Sequence, residues 1–207
     1  KSDVGELDKF SQMLFRAVHD EAMLKSQDRW VILGDETGSL SEFHSGNQEN
    51  SRSTMCWIAI PPGTVLPALH PEFHASGYSG TDNYIEGIEN LDKFKDIMIF
   101  TFAFEQGNIT QNINKIGGDP HLSFWKETLP LVLEALSEKI HEKTKVDVFI
   151  EQVAGLESGI GLIQPIVSSL ATKFKNRTGW KNMFFDQLWV ISKGEHPWIG
   201  YSDAIGH

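Results

Sequence analysis

Four carboxylates stand where a chain seldom leaves them without compensation: Asp35 closes the run Trp30-Val31-Ile32-Leu33-Gly34, Glu36 follows it, Glu151 closes Val146-Asp147-Val148-Phe149-Ile150, and Asp203 lies in Gly200-Tyr201-Ser202-Asp203-Ala204. A carboxylate that follows a buried apolar run loses hydration, and a cation or several hydrogen-bond donors must make up the loss. Carboxylate oxygens are hard ligands, suited to Mg²⁺ or Mn²⁺ rather than to soft metals. Acids converging from separate elements can hold two such ions about 3.5–4 Å apart, with one carboxylate bridging them, which is an arrangement for hydrolysing phosphodiesters. On this reading Asp35 bridges the ions and Glu151 and Asp203 complete the shell. The plainer reading makes Asp35 and Glu151 polar strand ends and Asp203 a partner of a helix dipole. Glu36 alternates to the opposite face of a regular strand, so it joins Asp35 only across a bulge.

The elements that must position these acids follow from apolar periodicity. Val4, Leu7, Phe10, Leu14 and Val18 recur at helical spacing and predict an amphipathic helix over 4–24. Trp30–Leu33, apolar on both faces and ending in Gly34-Asp35-Glu36-Thr37-Gly38, reads as a central strand running into a turn. A polar loop over 39–53 leads to a second strand, Met55–Ile60, which Pro61 and Pro62 terminate. After a segment from Thr64 to Phe94 without strong periodicity comes a third strand, Ile97–Phe104. Insertions of that length often lie over a functional face.

Asp119 as N-cap and Pro120 in the first turn start a helix whose stripe is Leu122, Trp125, Leu129, Val132, Leu133, Leu136 and Ile140, with a kink expected at Pro130. The fourth strand is Val146–Glu151, a helix follows from about Ile160 to Lys175, the fifth strand is Phe184–Ile191, and a short last helix starts near Pro197 or Trp198. Two right-handed helical crossovers after a three-strand meander place the fourth strand beside the first and the fifth outside it. The expected fold is therefore α/β and ribonuclease H-like. It has a five-stranded mixed sheet, helices on both faces and an extra N-terminal helix, with 1–28 as the extension and 29–207 as the domain.

Three segments also carry a family resemblance. Gly34-Asp35-Glu36-Thr37-Gly38, Pro71-Glu72-Phe73-His74-Ala75-Ser76 and Gly200-Tyr201-Ser202-Asp203-Ala204-Ile205, in this order over 29–207, resemble an uncharacterised ribonuclease H-like domain-of-unknown-function family. Its members carry an Asp-Glu-Ser-Gly strand end, an Ile-His-Ala-Ser-like segment and a final Ala-Asp helix. The resemblance implies that Asp35, Glu36, His74 and Asp203 belong to one site, with Glu151 joining by position. His74 would then touch a phosphate or a water at the metal as an acid–base group. This chain has Thr37 in place of Ser, Phe73 in place of Ile and Ser202 in place of Ala, changes that leave the acids intact. The N-terminal helix and the 39–53 loop are not clearly covered.

Other chemistries find less support. His70 and His74 have i, i+4 spacing, but Pro71 interrupts the helix that a zinc pair would need. Cys56 is the only cysteine, which excludes an internal disulfide, and its apolar neighbours favour packing over reactivity. No nucleophile elbow is present, and Gly155, Gly159 and Gly161 lack a nucleotide-binding fingerprint. Trp125, Trp180, Trp189 and Trp198 read as packing residues before base-stacking ones. Lys173, Lys175, Arg177 and Lys181 form the one concentrated basic strip, to be read either as phosphate contacts or as cations favoured at a helix C-terminus.

The chain has 207 residues, 40% hydrophobic and 22% charged, in the range of ordinary globular domains. It contains no apolar run of the ~18 residues that a membrane span requires and no signal-peptide core, so the expectation is a cytoplasmic protein without a membrane partner. A net charge of −10 opposes a broad nucleic-acid surface. The leading expectation is a Mg²⁺- or Mn²⁺-dependent nuclease with two ions, its substrate RNA or DNA. The alternatives are a noncatalytic ribonuclease H-like binding module and a metal-dependent hydrolase of small phosphoesters or nucleotides. The chain opens on Lys1 and closes on Ile205-Gly206-His207, which leaves room for further domains or protein partners outside it.

Overall fold

The computed structural model describes residues 3–37, 52–69, 81–105, 120–153, 159–192 and 194–206. Its elements are α1 (Asp3–Ser26), β1 (Arg29–Thr37), β2 (Arg52–Ile60), α2 (Thr81–Asp92), β3 (Met98–Glu105), α3 (Pro120–Ser137), β4 (Thr144–Glu151), a 3-10 turn (Ile160–Leu162), α4 (Gln164–Lys173), α5 (Thr178–Asn182), β5 (Met183–Ile191) and α6 (Gly200–Gly206). The strands form one five-stranded sheet in the order β3-β2-β1-β4-β5. β1 is antiparallel to β2, which is antiparallel to β3; β4 is parallel to β1, and β5 is parallel to β4. This mixed α/β architecture matches the order deduced from the crossovers.

β1 is central because both of its faces are apolar. Ile32 faces a core built with Met55, Trp57, Val148 and Ile150 beneath α3 and α4, whereas Val31 and Leu33 face a second core built with Ile58, Phe149, Tyr201 and Ala204 beneath α6. The alternation that separates the two cores also assigns the polar residues of β1 to faces.

Gly34 is required by packing. It lies across from Trp57, and a Cβ at this position would come within 2.5 Å of the indole ring. That ring is fully buried and its Nε1–H donates to Thr128 Oγ1 at 2.9 Å, while Thr128 itself donates to the Phe124 carbonyl at 2.7 Å. The indole is thus pinned to α3 and has little freedom to yield. Gly34→Ala is expected to cost about 1–3 kcal/mol through overpacking. In urea this would appear as a lower midpoint with an unchanged slope; an unchanged midpoint would mean that Trp57 yields cheaply.

Several elements depart from the sequence expectations. The aperiodic segment from Thr64 to Phe94 contains α2, which packs against α6. The helix expected from Ile160 divides into the 3-10 turn and α4, since Pro165 fits only a first helical turn. A five-residue helix, α5, intervenes before β5, and α6 starts at Gly200, later than expected. α3 continues through Pro130. In α1, Phe10 and Leu14 of the expected buried stripe are 65% and 57% exposed, while Met23 packs on the second core.

Candidate functional site

Asp35 occupies an odd position of β1, on the face of Val31 and Leu33, and is 7% exposed. The β1–β4 ladder runs to Gly34 opposite Ile150, so Asp35 and Glu151 are the next residues on adjacent parallel strands. Parallel neighbours in register lie about 4.8 Å apart and point to the same face. Glu151 is half-buried, with its Oε2 enclosed. Asp203 sits in the first turn of α6, the helix packed on this face of β1 and β2, and is 3% exposed. One end of one sheet face therefore receives the acids of β1, β4 and α6.

The end of α6 fits closely: Gly206 lies against Thr37, where a Cβ would collide with the Thr37 hydroxyl. Tyr201 Oη donates to the Pro67 carbonyl at 2.8 Å, and Trp198 Nε1 donates to the Leu66 carbonyl at 3.0 Å. These bonds tie the approach to α6, and α6 itself, to the segment after β2, holding Asp203 over the sheet.

Asp35 Oδ1 accepts the Glu36 backbone N–H at 2.8 Å. Across the β1–β2 ladder its partner is Cys56, whose thiol is pushed up to about 12 by burial and, in smaller part, by the charge of Asp35. Cys56 therefore remains a thiol at neutral pH, a packing residue as its neighbours suggested. None of Asp35, Glu36, Glu151 and Asp203 stands without polar or electrostatic contacts.

The β1–β2 register continues without a bulge to Thr37, and this places Glu36 across from Met55 on the opposite face from Asp35. His70 and His74 lie outside the described residues. Among the described residues, no group of three His, Cys, Asp or Glu side chains is arranged to hold a metal ion. The donor chemistry at Asp35, Glu151 and Asp203 suits a hard divalent cation, but the three acids share a face without forming a closed shell.

Lys173, Lys175, Arg177 and Lys181 are exposed around α4 and α5, at the strand end opposite to Asp35 and Glu151. The two helices belong to the other face of the sheet. Arg177 Nη1 pairs with Glu134 Oε1 at 2.6 Å, and the guanidinium lies 4.5 Å from the centre of the Phe174 ring. A nucleic acid touching both the strip and the carboxylates would have to cross from one face of the sheet to the other and span the length of the strands.

Two further polar sites were missed by sequence reasoning. Arg29, at the start of β1, donates from Nη1 to Asp147 Oδ2 at 3.0 Å and to Asp186 Oδ2 at 2.9 Å, with Nε donating to Asp28. The β4–β5 register shifts after Val146, leaving Asp186 as the extra residue that reaches the guanidinium. Burial pushes the Asp147 carboxyl up against the opposing pull of Arg29. An acid within Val146-Asp147-Val148-Phe149 gave the same signal as Asp35, yet its partner lies 118 residues away.

The second is His196, 8% exposed, with its ring 4.8 Å from that of Phe149 and 5.5 Å from that of Trp198. Its Nδ1 accepts the Trp198 N–H at 3.2 Å, which places the proton of the neutral ring on Nε2. Burial, aided by the charge of Lys25, pulls its pKa down to about 3. An unfolded histidine takes up its proton near pH 6.5, so the stability present above that pH is lost as pH falls towards 3. The loss is about 2 kcal/mol by pH 5. Urea unfolding at pH 7 and pH 5 tests this: His196→Asn, whose Oδ1 can replace Nδ1 as the acceptor, should remove most of the difference. An equal acid loss in both proteins would contradict it.

No protein-family model matches the chain, and no curated protein matches it significantly. Among the described residues no helix is long and apolar enough to cross a membrane.

Proposed function

We propose that the chain is a ribonuclease H-like, divalent-metal-dependent phosphodiester hydrolase acting on nucleic acid, related to the family that its three motifs resemble. The observation carrying this reading is the register that sets buried Asp35 beside Glu151 under the helix bearing Asp203. Like charges so placed repel one another, and a cation is the economical relief. Asp35, Glu151 and Asp203 would hold Mg²⁺ or Mn²⁺, which when bound lowers the pKa of water and neutralises charge on a phosphoryl group. The residues of the chain supply rigid orientation: β1 and β4 fix two carboxylates through their backbone ladder, and α6 excludes water from the face below. His74, by resemblance, exchanges a proton with a phosphate oxygen or water.

The direct test incubates the protein with end-labelled single-stranded RNA, single-stranded DNA and an RNA–DNA hybrid, each with Mg²⁺, Mn²⁺ or EDTA. Cleavage that requires the metal supports the proposal. A second reading, hydrolysis of small phosphoesters, is favoured by the net charge of −10 and by the separation of the basic strip from the carboxylates. It predicts metal-dependent turnover of bis-p-nitrophenyl phosphate with no cutting of any polymer.

A further inference from the structure

On the face shared with Asp35, but towards the start of β1, a cavity of about 170 Å³ opens between α1 and the sheet. Its lining includes Glu21, Lys25, Asp147, Phe149, Gln187 and His196. Val31 also lines it and stands four residues before Asp35 on β1, about 13 Å away along the strand, while Phe149, the lining residue nearest that end of the sheet, stands two residues before Glu151 on β4.

Most of its charged groups are already engaged. Lys25 Nζ pairs with Glu21 Oε1 at 2.7 Å, and Asp147 accepts from Arg29 Nη1 and from the Gln187 backbone N–H. Glu195, also on the lining, accepts the Ser192 backbone N–H through Oε2 at 2.6 Å. Two polar groups remain. His196 spends Nδ1 on the Trp198 N–H, so its Nε2 is a donor, and among the described residues neither this Nε2 nor the Gln187 side-chain amide meets a hydrogen-bonding partner. Phe149 and His196 add an aromatic wall. Burial keeps His196 neutral at physiological pH, so its donor carries no charge.

We propose that this cavity binds an uncharged single-ring nitrogen heterocycle of pyrimidine size, with a ring carbonyl accepting from His196 Nε2–H and an adjacent ring amide paired to Gln187. The size agrees, since a cavity of roughly 150 Å³ holds a benzene ring. An anion is disfavoured because the carboxylates of Glu21, Asp147 and Glu195 outnumber Lys25 among the lining groups, and a cation would meet only Glu195, an exposed carboxylate that already accepts a backbone N–H. A plain hydrocarbon would cover the His196 Nε2–H without accepting from it, which is costly.

Uracil is the probe. Titration of the full chain, followed by calorimetry and by amide shifts around Phe149 and His196, should show saturable binding, with benzoate and benzene at least about tenfold weaker. His196→Asn keeps the bond to Trp198 but removes the Nε2 donor, and it should weaken uracil binding about tenfold, the worth of one buried hydrogen bond. Gln187→Leu, which sacrifices no side-chain bond within the fold, should weaken binding by a similar factor and guards against a folding defect in the histidine variant. Absence of saturable uracil binding to the native chain, or binding that either correctly folded variant leaves unchanged, overturns the proposal.

Discussion

Asp35→Asn is expected to lower metal-dependent phosphodiester cleavage by at least about a hundredfold, because even the outer-shell partners of metal ligands are worth roughly 10- to 100-fold. The substitution preserves shape and keeps an oxygen to accept the Glu36 N–H. What it removes is a buried negative charge next to Glu151 and on the face covered by Asp203. Without metal, the variant should therefore melt no lower than the native chain, since like-charge repulsion is relieved. Activity and stability moving apart in this way is the signature of a ligand. A parallel fall in both would instead make Asp35 a structural strand-end residue.

Truncation of Arg29 has the largest expected effect on stability. Its guanidinium is the cation for Asp147, whose side chain is 2% exposed, and it also reaches Asp186. Removing one partner of a buried pair strands the other charge, at a cost of about 3–5 kcal/mol, a large share of the total stability of a domain. Arg29→Ala is therefore expected to unfold at much lower urea. Adding Asp147→Asn should recover part of the loss, because the stranded charge is then gone. The deficit should also shrink as pH falls: the Asp147 carboxyl is already pushed upward by burial, and it takes up a proton more readily once the cation is absent. A loss below about 1 kcal/mol would place this pair in the class of weak surface ion pairs.

The sheet was legible in the sequence because its signals are local. Val31-Ile32-Leu33 and Val148-Phe149-Ile150 are apolar on both faces, and the chirality of crossovers leaves few places for β4 and β5. α2 was not legible: Ile85 and Ile88 are exposed, among its described side chains only Asn90 and Leu91 near its end are buried, and its helical state follows from packing against α6. Phe10 and Leu14 misled in the opposite direction, since periodicity reports an apolar stripe and not whether anything covers it.

For the site, alternation along β1 separated Asp35 from Glu36, and equivalent strand ends aligned Asp35 with Glu151. Arg29, Asp147 and Asp186 were beyond reach because their meeting depends on register and on a one-residue bulge, which leave no mark in composition. His196 was passed over for a related reason: its role follows from the rings of Phe149 and Trp198 around it.

The most direct test of the central claim is diffraction from crystals soaked in Mn²⁺, recorded at the manganese absorption edge. An anomalous peak coordinated by Asp35 and Glu151, with Asp203 completing the shell, is the predicted result. Crystals that take up no manganese at this end of the sheet, with the three carboxylates held on separate protein partners, would contradict it.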